Sequence, residues 1–112
     1  MLIYKILTTA QWAEFEQNGV FTGAPIDLAD GYIHFSTAAQ ARETAAKHFA
    51  GQPDLHLAWA DGDALGDALK WEVSRGGAEF PHLYRDWPMT EVLGHAALPL
   101  VDGAHQFPDG IA

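Results

Sequence analysis

The chain has 112 residues, 48% of them hydrophobic, which is the size and make-up of one compact domain spanning 1–112. Six Lys and Arg against fifteen Asp and Glu leave a formal charge of −9, a field that opposes phosphate backbones and sets nucleic acid aside as a general partner. With no cysteine, disulfide frameworks, thiolate zinc sites and cysteine nucleophiles are excluded, so any chemistry falls to histidine, carboxylate or hydroxyl groups.

Leu2-Ile3-Tyr4-Lys5-Ile6-Leu7 is rich in β-branched and aromatic residues and reads as a buried strand. Thr8 and Gln11 make a capping box, Trp12 and Phe15 an apolar pair, and Gly19 a stop, which together predict a helix over Thr9–Asn18. From Thr22 to Gly31 turn formers mix with Ile26 and Leu28, the pattern of a structured loop or a short helical turn. Tyr32-Ile33-His34-Phe35-Ser36 then alternates as a strand, with His34 and Ser36 on its polar face. Thr37 with Gln40 repeats the capping box ahead of a second helix over Ala38–Ala50.

Leu55–Ala60 and Leu69–Ser74 read as further strands, with Leu69, Trp71 and Val73 on an apolar face and Arg75-Gly76-Gly77 as a turn. The proline in Phe80-Pro81-His82-Leu83-Tyr84 predicts a sheet edge or a loop, and Trp87-Pro88 reads the same way. Glu91–Leu98 is the last expected strand, and about 100–112 is expected to be a loose tail. The order predicts an α+β fold: a small mixed, mainly antiparallel sheet with two helices near the N-terminus. No run approaches the roughly 20 apolar residues needed to cross a bilayer, and no cleavage signal follows the first strand, so a cytoplasmic protein with no membrane attachment is expected.

Three groupings can carry chemistry. His34, Ser36 and Thr37 at a helix start offer an imidazole, hydroxyls and helix N–H groups to an anion, although Ser36 or Thr37 as a plain cap accounts for the pattern equally well. Glu72 shares the polar strand face with Lys70, where simple solvent exposure is the competing reading. The segment from Phe80 to Pro88 gathers aromatic, imidazole and guanidinium groups, either as a ligand-binding loop or as one pinned to the core. Of the four tryptophans, Trp12, Trp59 and Trp71 are expected in the core and Trp87 at the surface. The six histidines include no His-Glu-x-x-His pattern; a His34, His82 and Glu72 zinc cluster would need the fold to assemble it, and no metal is expected.

Ile3-Tyr4-Lys5-Ile6 with Trp12, Asp30-Gly31-Tyr32-Ile33-His34-Phe35-Ser36, Trp71-Glu72 and Phe80-Pro81-His82-Leu83-Tyr84 together resemble the bacterial domain-of-unknown-function family 952. After the tyrosine that family usually continues with a Gly-Pro-like pair, where this chain has Arg85-Asp86-Trp87-Pro88. The family is in turn distantly similar to the ADP-ribosyltransferase superfamily, which implies an ADP-ribosyltransferase-like fold and NAD as a possible substrate. On that resemblance His34 matches the ribose-gripping histidine, Glu72 is the candidate catalytic carboxylate, and Arg42 or Arg85 supplies positive charge for a pyrophosphate. A pair of tyrosines around the nicotinamide is not evident in the sequence.

These readings converge on a small-ligand-binding domain that accepts NAD or a nucleotide-like anion. Its ligand-binding residues are His34, Ser36, Thr37, His82, Tyr84 and Arg85, and its catalytic pair, if it turns over by ADP-ribosyl or related glycosyl or phospho transfer, is His34 with Glu72. The alternatives are a noncatalytic protein-interaction module using the Phe80 to Pro88 loop, and a metal-dependent hydrolase using His34, His82 and Glu72.

Overall fold

The computed structural model describes residues 1–74 and 77–109. The expected turn at Arg75-Gly76 and the last three residues of the expected tail lie outside the described residues. Strand β1 (Leu2–Thr8) leads through the Thr8–Gln11 capping box into helix α1 (Thr9–Asn18), as the pattern predicts. β2 (Val20–Phe21) is followed by a short helix, α2 (Pro25–Asp30), in the stretch read as a loop or helical turn. Proline at the first turn starts α2, and Gly31, at φ 87°, ends it while donating its N–H to the Asp27 carbonyl.

β3 (Ile33–His34) precedes helix α3 (Ala38–His48), which stops two residues short of the predicted end because Phe49 leaves helical geometry. β4 (Leu55–Asp61) runs into a kinked 3₁₀ turn over Gly62–Ala68, then β5 (Leu69–Val73), β6 (Glu79–Leu83) and β7 (Trp87–Pro88). A 3₁₀ turn at Met89–Glu91 replaces the start of the expected last strand, leaving β8 (Gly94–Ala97). The segment expected to trail loosely folds back as β9 (Leu100–Val101) and β10 (Ala104–His105), with Phe107 against α3 beneath the Arg42 guanidinium, 4.7 Å from its ring.

This is a small α+β architecture in which every described strand pairing is antiparallel. One three-stranded sheet has the order β1-β4-β8 and a second the order β3-β6-β5. Reciprocal backbone bonds between Tyr4 and Ser36, at 2.7 and 2.8 Å, stitch β1 to the chain leaving β3 and so join the two sheets. The main core packs Ile3, Leu7, Trp12, Phe15, Phe35, Leu83 and Trp87 between the sheets and α1, and a second cluster packs Ile6, Leu57 and Leu98 against Ala41 and Ala45 of α3.

Three expectations are corrected. Phe80–Leu83 is no edge: β6 is the central strand between β3 and β5. Pro81 fits there because β3 ends beside it; its carbonyl accepts from the Phe35 N–H at 2.9 Å, and its missing donor falls where the chain turns away. Trp87, expected at the surface, is fully buried, its ring 5.2 Å from Phe15 and 4.8 Å from Phe35. Trp71, expected in the core, is 40% exposed and Val73 beside it 69%, because on β5 only Leu69 reaches the core.

Candidate functional site

The joint between the sheets is where the polar residues gather. Register places His34 opposite His82, Lys70 opposite His82 and Glu72 opposite Phe80, so these side chains share one face of the β3-β6-β5 sheet. A cavity of about 580 Å³ opens beside that face, within the usual size of a small-ligand pocket. Lys5, Asp30, Tyr32, His34, Ser36 and His82 are in its wall, along with Thr44 and His48 of α3.

Asp27, which the sequence reading passed over, is the hub. Its carboxylate is buried and accepts from the Lys5 ammonium at 3.0 Å, the Ala24 N–H at 2.7 Å and the His34 N–H at 3.1 Å, and it holds His34 Nδ1 at 2.6 Å. Burial pushes this carboxyl up, but the His34 bond, the Lys5 charge and the two backbone donors outweigh it and bring the group down to about 2. Lys5, itself buried, is pushed down by desolvation, and Asp27 partly restores it. The signal for this hub was present: Pro25 and Gly31 bracket a single turn whose third residue is an acid, the position that bonds back to the helix cap.

Held at its backbone and at Nδ1, His34 turns its other nitrogen toward Asp30, with Nε2 2.9 Å from Oδ2. Tyr32 stacks on His82 at 4.0 Å between ring centroids and lies 4.7 Å from His34 and 5.2 Å from Tyr84. His82 Nδ1 is 2.8 Å from Glu72 Oε1, and the Tyr84 hydroxyl donates to the same oxygen at 2.7 Å. Those two bonds, Tyr84 first, hold the Glu72 carboxyl below its usual range, and the same contact drives Tyr84 up to about 12. Burial, then the charges of Asp30 and Glu72, raises the Tyr32 phenol as well.

His34, His82, Tyr84 and Glu72, four of the seven residues singled out from sequence, therefore meet in one hydrogen-bonded and stacked cluster. Within it Glu72 touches His82 and Tyr84 and is no part of the cavity wall. Ser36 is in the wall with its Oγ 3.2 Å from Thr44 Oγ1. Thr37 is spent on its capping box: it accepts from the Gln40 N–H, and Gln40 Oε1 accepts from the Thr37 N–H. This occupies the Thr37 N–H and one lone pair of its hydroxyl, whose own O–H is left able to donate. Arg85 is not in the cavity wall: its guanidinium forms a two-pronged pair with Glu91 at 2.8 and 3.0 Å and also bonds the Leu65 carbonyl. Besides Asp27, Tyr32 and Asp30 were missed as site residues; both stood inside a quoted motif, but only the fold shows which groups they meet.

The same geometry bears on the two alternatives. With β6 central and Trp87 buried, the part of the Phe80–Pro88 segment left exposed for a protein partner is confined to Tyr84 and Asp86, with Arg85 half-buried between them. His34 and His82 point Nδ1 at different carboxylates, and among the described residues no group of three or more His, Asp or Glu is arranged to hold a metal ion. Nor, among the described residues, is any helix long and apolar enough to cross a membrane.

A family described as proteins of unknown function, DUF952, matches residues 6–95. Among solved structures, the crystal structure of protein CC0527 from Caulobacter crescentus is similar at 52% identity and a TM-score of 0.90, over 95% of this chain and 94% of that one. The solution NMR structure of the same Caulobacter protein aligns at 51% identity and a TM-score of 0.84, over 93% and 90%. No curated protein matches the chain.

Proposed function

The chain belongs to the DUF952 family, whose description supplies no activity, and from the geometry of the site we propose that the cavity binds an NAD-like nucleotide through its ribose hydroxyls. The carrying observation is the fixed aim of His34. A buried carboxylate holds both its backbone N–H and Nδ1, so Nε2 and the Asp30 carboxylate stand 2.9 Å apart at the cavity, Asp30 as an acceptor and Nε2 as a donor or acceptor according to the state of the ring. Paired donors and acceptors suit vicinal hydroxyls, and Ser36 and Thr44 extend the hydroxyl-binding wall. The stack of Tyr32 on His82, with Tyr84 alongside, offers the flat aromatic surface that a base or nicotinamide ring needs.

Glu72 supports the transfer chemistry of this reading. A carboxylate kept ionised by Tyr84 and His82 is suited to stabilise the positive charge that develops when a glycosidic bond to nicotinamide breaks. In the free protein Glu72 acts through His82 and Tyr84, so its direct role requires the ligand to reach past Tyr84.

The test is the melting temperature with and without millimolar NAD, followed by an assay for released nicotinamide. A ligand at 100 times its dissociation constant adds about 2.7 kcal/mol, which raises the melting temperature of a domain this size by several degrees. The proposal expects that rise, its loss in His34→Ala, and its retention in Glu72→Gln with nicotinamide release abolished. No rise at saturating NAD overturns it.

A further inference from the structure

β5 is an outer strand of the β3-β6-β5 sheet, so among the described residues one of its edges has no strand beside it. Ala68 and Ser74, which flank it, bond inward: the Ala68 carbonyl accepts from the Tyr84 N–H at 2.8 Å, and the Ser74 N–H donates to the Ala78 carbonyl at 2.9 Å. Backbone groups alternate along a strand, so Leu69, Trp71 and Val73 turn theirs outward. Among the described residues only the Leu69 N–H has a partner there, the Gly66 carbonyl. The same three side chains form an apolar stripe on the sheet face away from the cavity, where Trp71 is 40% and Val73 69% exposed.

We propose that this edge pairs with a second copy of the chain, β5 against β5, antiparallel and centred on Trp71, joining the two three-stranded sheets into one. A second copy is the occupant because Lys70-Trp71-Glu72 is its own complement. In that register Trp71 exchanges both backbone bonds with the partner's Trp71, and each Val73 N–H donates to the partner's Leu69 carbonyl. Lys70 falls opposite the partner's Glu72 at the closer spacing of an antiparallel ladder, about 4.5 Å between Cα atoms. Sliding one strand by two residues, the smallest slip that keeps the outward groups paired, sets Lys70 against Lys70 or Glu72 against Glu72, so charge fixes the register. The apolar stripes of the two copies merge, indole beside indole. Both bonds that Glu72 makes among the described residues, to His82 and Tyr84, use Oε1, which leaves Oε2 for the partner's Lys70. The formal charge of −9 on each copy opposes the contact, but physiological salt confines that field to about 8 Å. One short strand a side buries less than the roughly 1,200 Å² of a stable interface, so the dimer is weak and dilute protein is monomeric.

The experiment is sedimentation equilibrium of the full chain in about 0.15 M salt at protein concentrations up to about 1 mM, on the parent, Lys70→Glu, Glu72→Lys, Trp71→Ser and an equal mixture of the two charge variants. The parent is expected to show a monomer–dimer equilibrium with a dissociation constant of about 0.1–1 mM, weakened at least fivefold in each single variant. The mixture is expected to dimerise again, because the reversed charges then face opposite ones across the strands. Lys70 and Trp71 are exposed, so their variants guard against a loss caused by unfolding, and melting curves of dilute protein verify every fold. A parent that stays monomeric at about 1 mM overturns the interface. So does a dimer that Lys70→Glu and Trp71→Ser leave unchanged, or a mixture of the two folded charge variants that stays monomeric. None of these readouts involves NAD, so a failure here and a failure of the ligand reading are told apart.

Discussion

His34 and His82 sit 5.5 Å apart on one sheet, and His56 and His95 sit 5.1 Å apart on the other, yet the pairs are built on opposite principles. In the first, each imidazole is held by its own carboxylate, Asp27 for His34 and Glu72 for His82, so neither depends on the other for a partner. In the second, each imidazole is the other's partner and an indole supplies the platform. A carboxylate partner fixes the ring's aim from outside the pair, whereas in the second pair burial and the neighbouring His95 together disfavour a proton on His56. Counting histidines in the sequence does not separate these environments; the groups facing each ring nitrogen do.

The largest expected effect comes from dismantling the carboxylate side. Asp27→Ala strands the buried Lys5 charge and frees His34, and removing one partner of a buried pair costs about 3–5 kcal/mol. Urea unfolding measures it; a loss below 1 kcal/mol would mean that Lys5 finds another partner and that Asp27 is no hub. Next, Gly94→Ala attacks the histidine side through its backbone. A Cβ there would stand 2.6 Å from the Trp59 ring, so β8 and His95 with it must shift, at a cost of about 1–3 kcal/mol. The His56–His95 contact should loosen, visible as changed imidazole signals in NMR while those of His34 and His82 stay put.

The two pairs should also answer acid differently. Asp27 is depressed on folding, so its contribution is fully present above the unfolded value near 4 and is lost as pH falls toward about 2. Burial first, then the neighbouring His95, also depresses His56, so its contribution is complete above the ordinary histidine value of 6.5 and fades as pH falls through and below it. Melting temperature against pH should therefore begin to fall as pH drops below about 6.5, lose that part of the fall in His56→Gln, and keep its steep fall below pH 4 in that variant. The smallest effect belongs to Trp71→Ser, within about 0.5 kcal/mol, since the ring stands outside both clusters and 40% exposed.

Local signals carried much of this fold. Both capping boxes and the first helix are where Thr8, Thr37 and their glutamines put them, because a cap is a contact between residues three apart. What failed was whatever depends on neighbours distant in the chain. Alternation on β5 correctly separated Leu69, Trp71 and Val73 from Lys70, Glu72 and Ser74, but only the sheet order shows that the apolar face runs out past the core while the polar face meets His82 and Phe80. Proline marked Phe80–Leu83 as an edge because nothing local reveals that β3 ends beside Pro81. In the candidate site, His34 and His82 were found from motif and pattern, whereas Asp27 and Tyr32 take their importance from partners that the chain delivers from elsewhere.

The central claim, that Asp27 aims His34 at a ribose-bearing ligand, is tested most directly by calorimetric titration of NAD into the parent protein and into His34→Ala. The account predicts saturable binding of one NAD by the parent and at least tenfold weaker binding by the variant, whose fold is verified by its melting curve. Equal affinity in the two proteins, or no heat of binding in the parent at millimolar NAD, would contradict it.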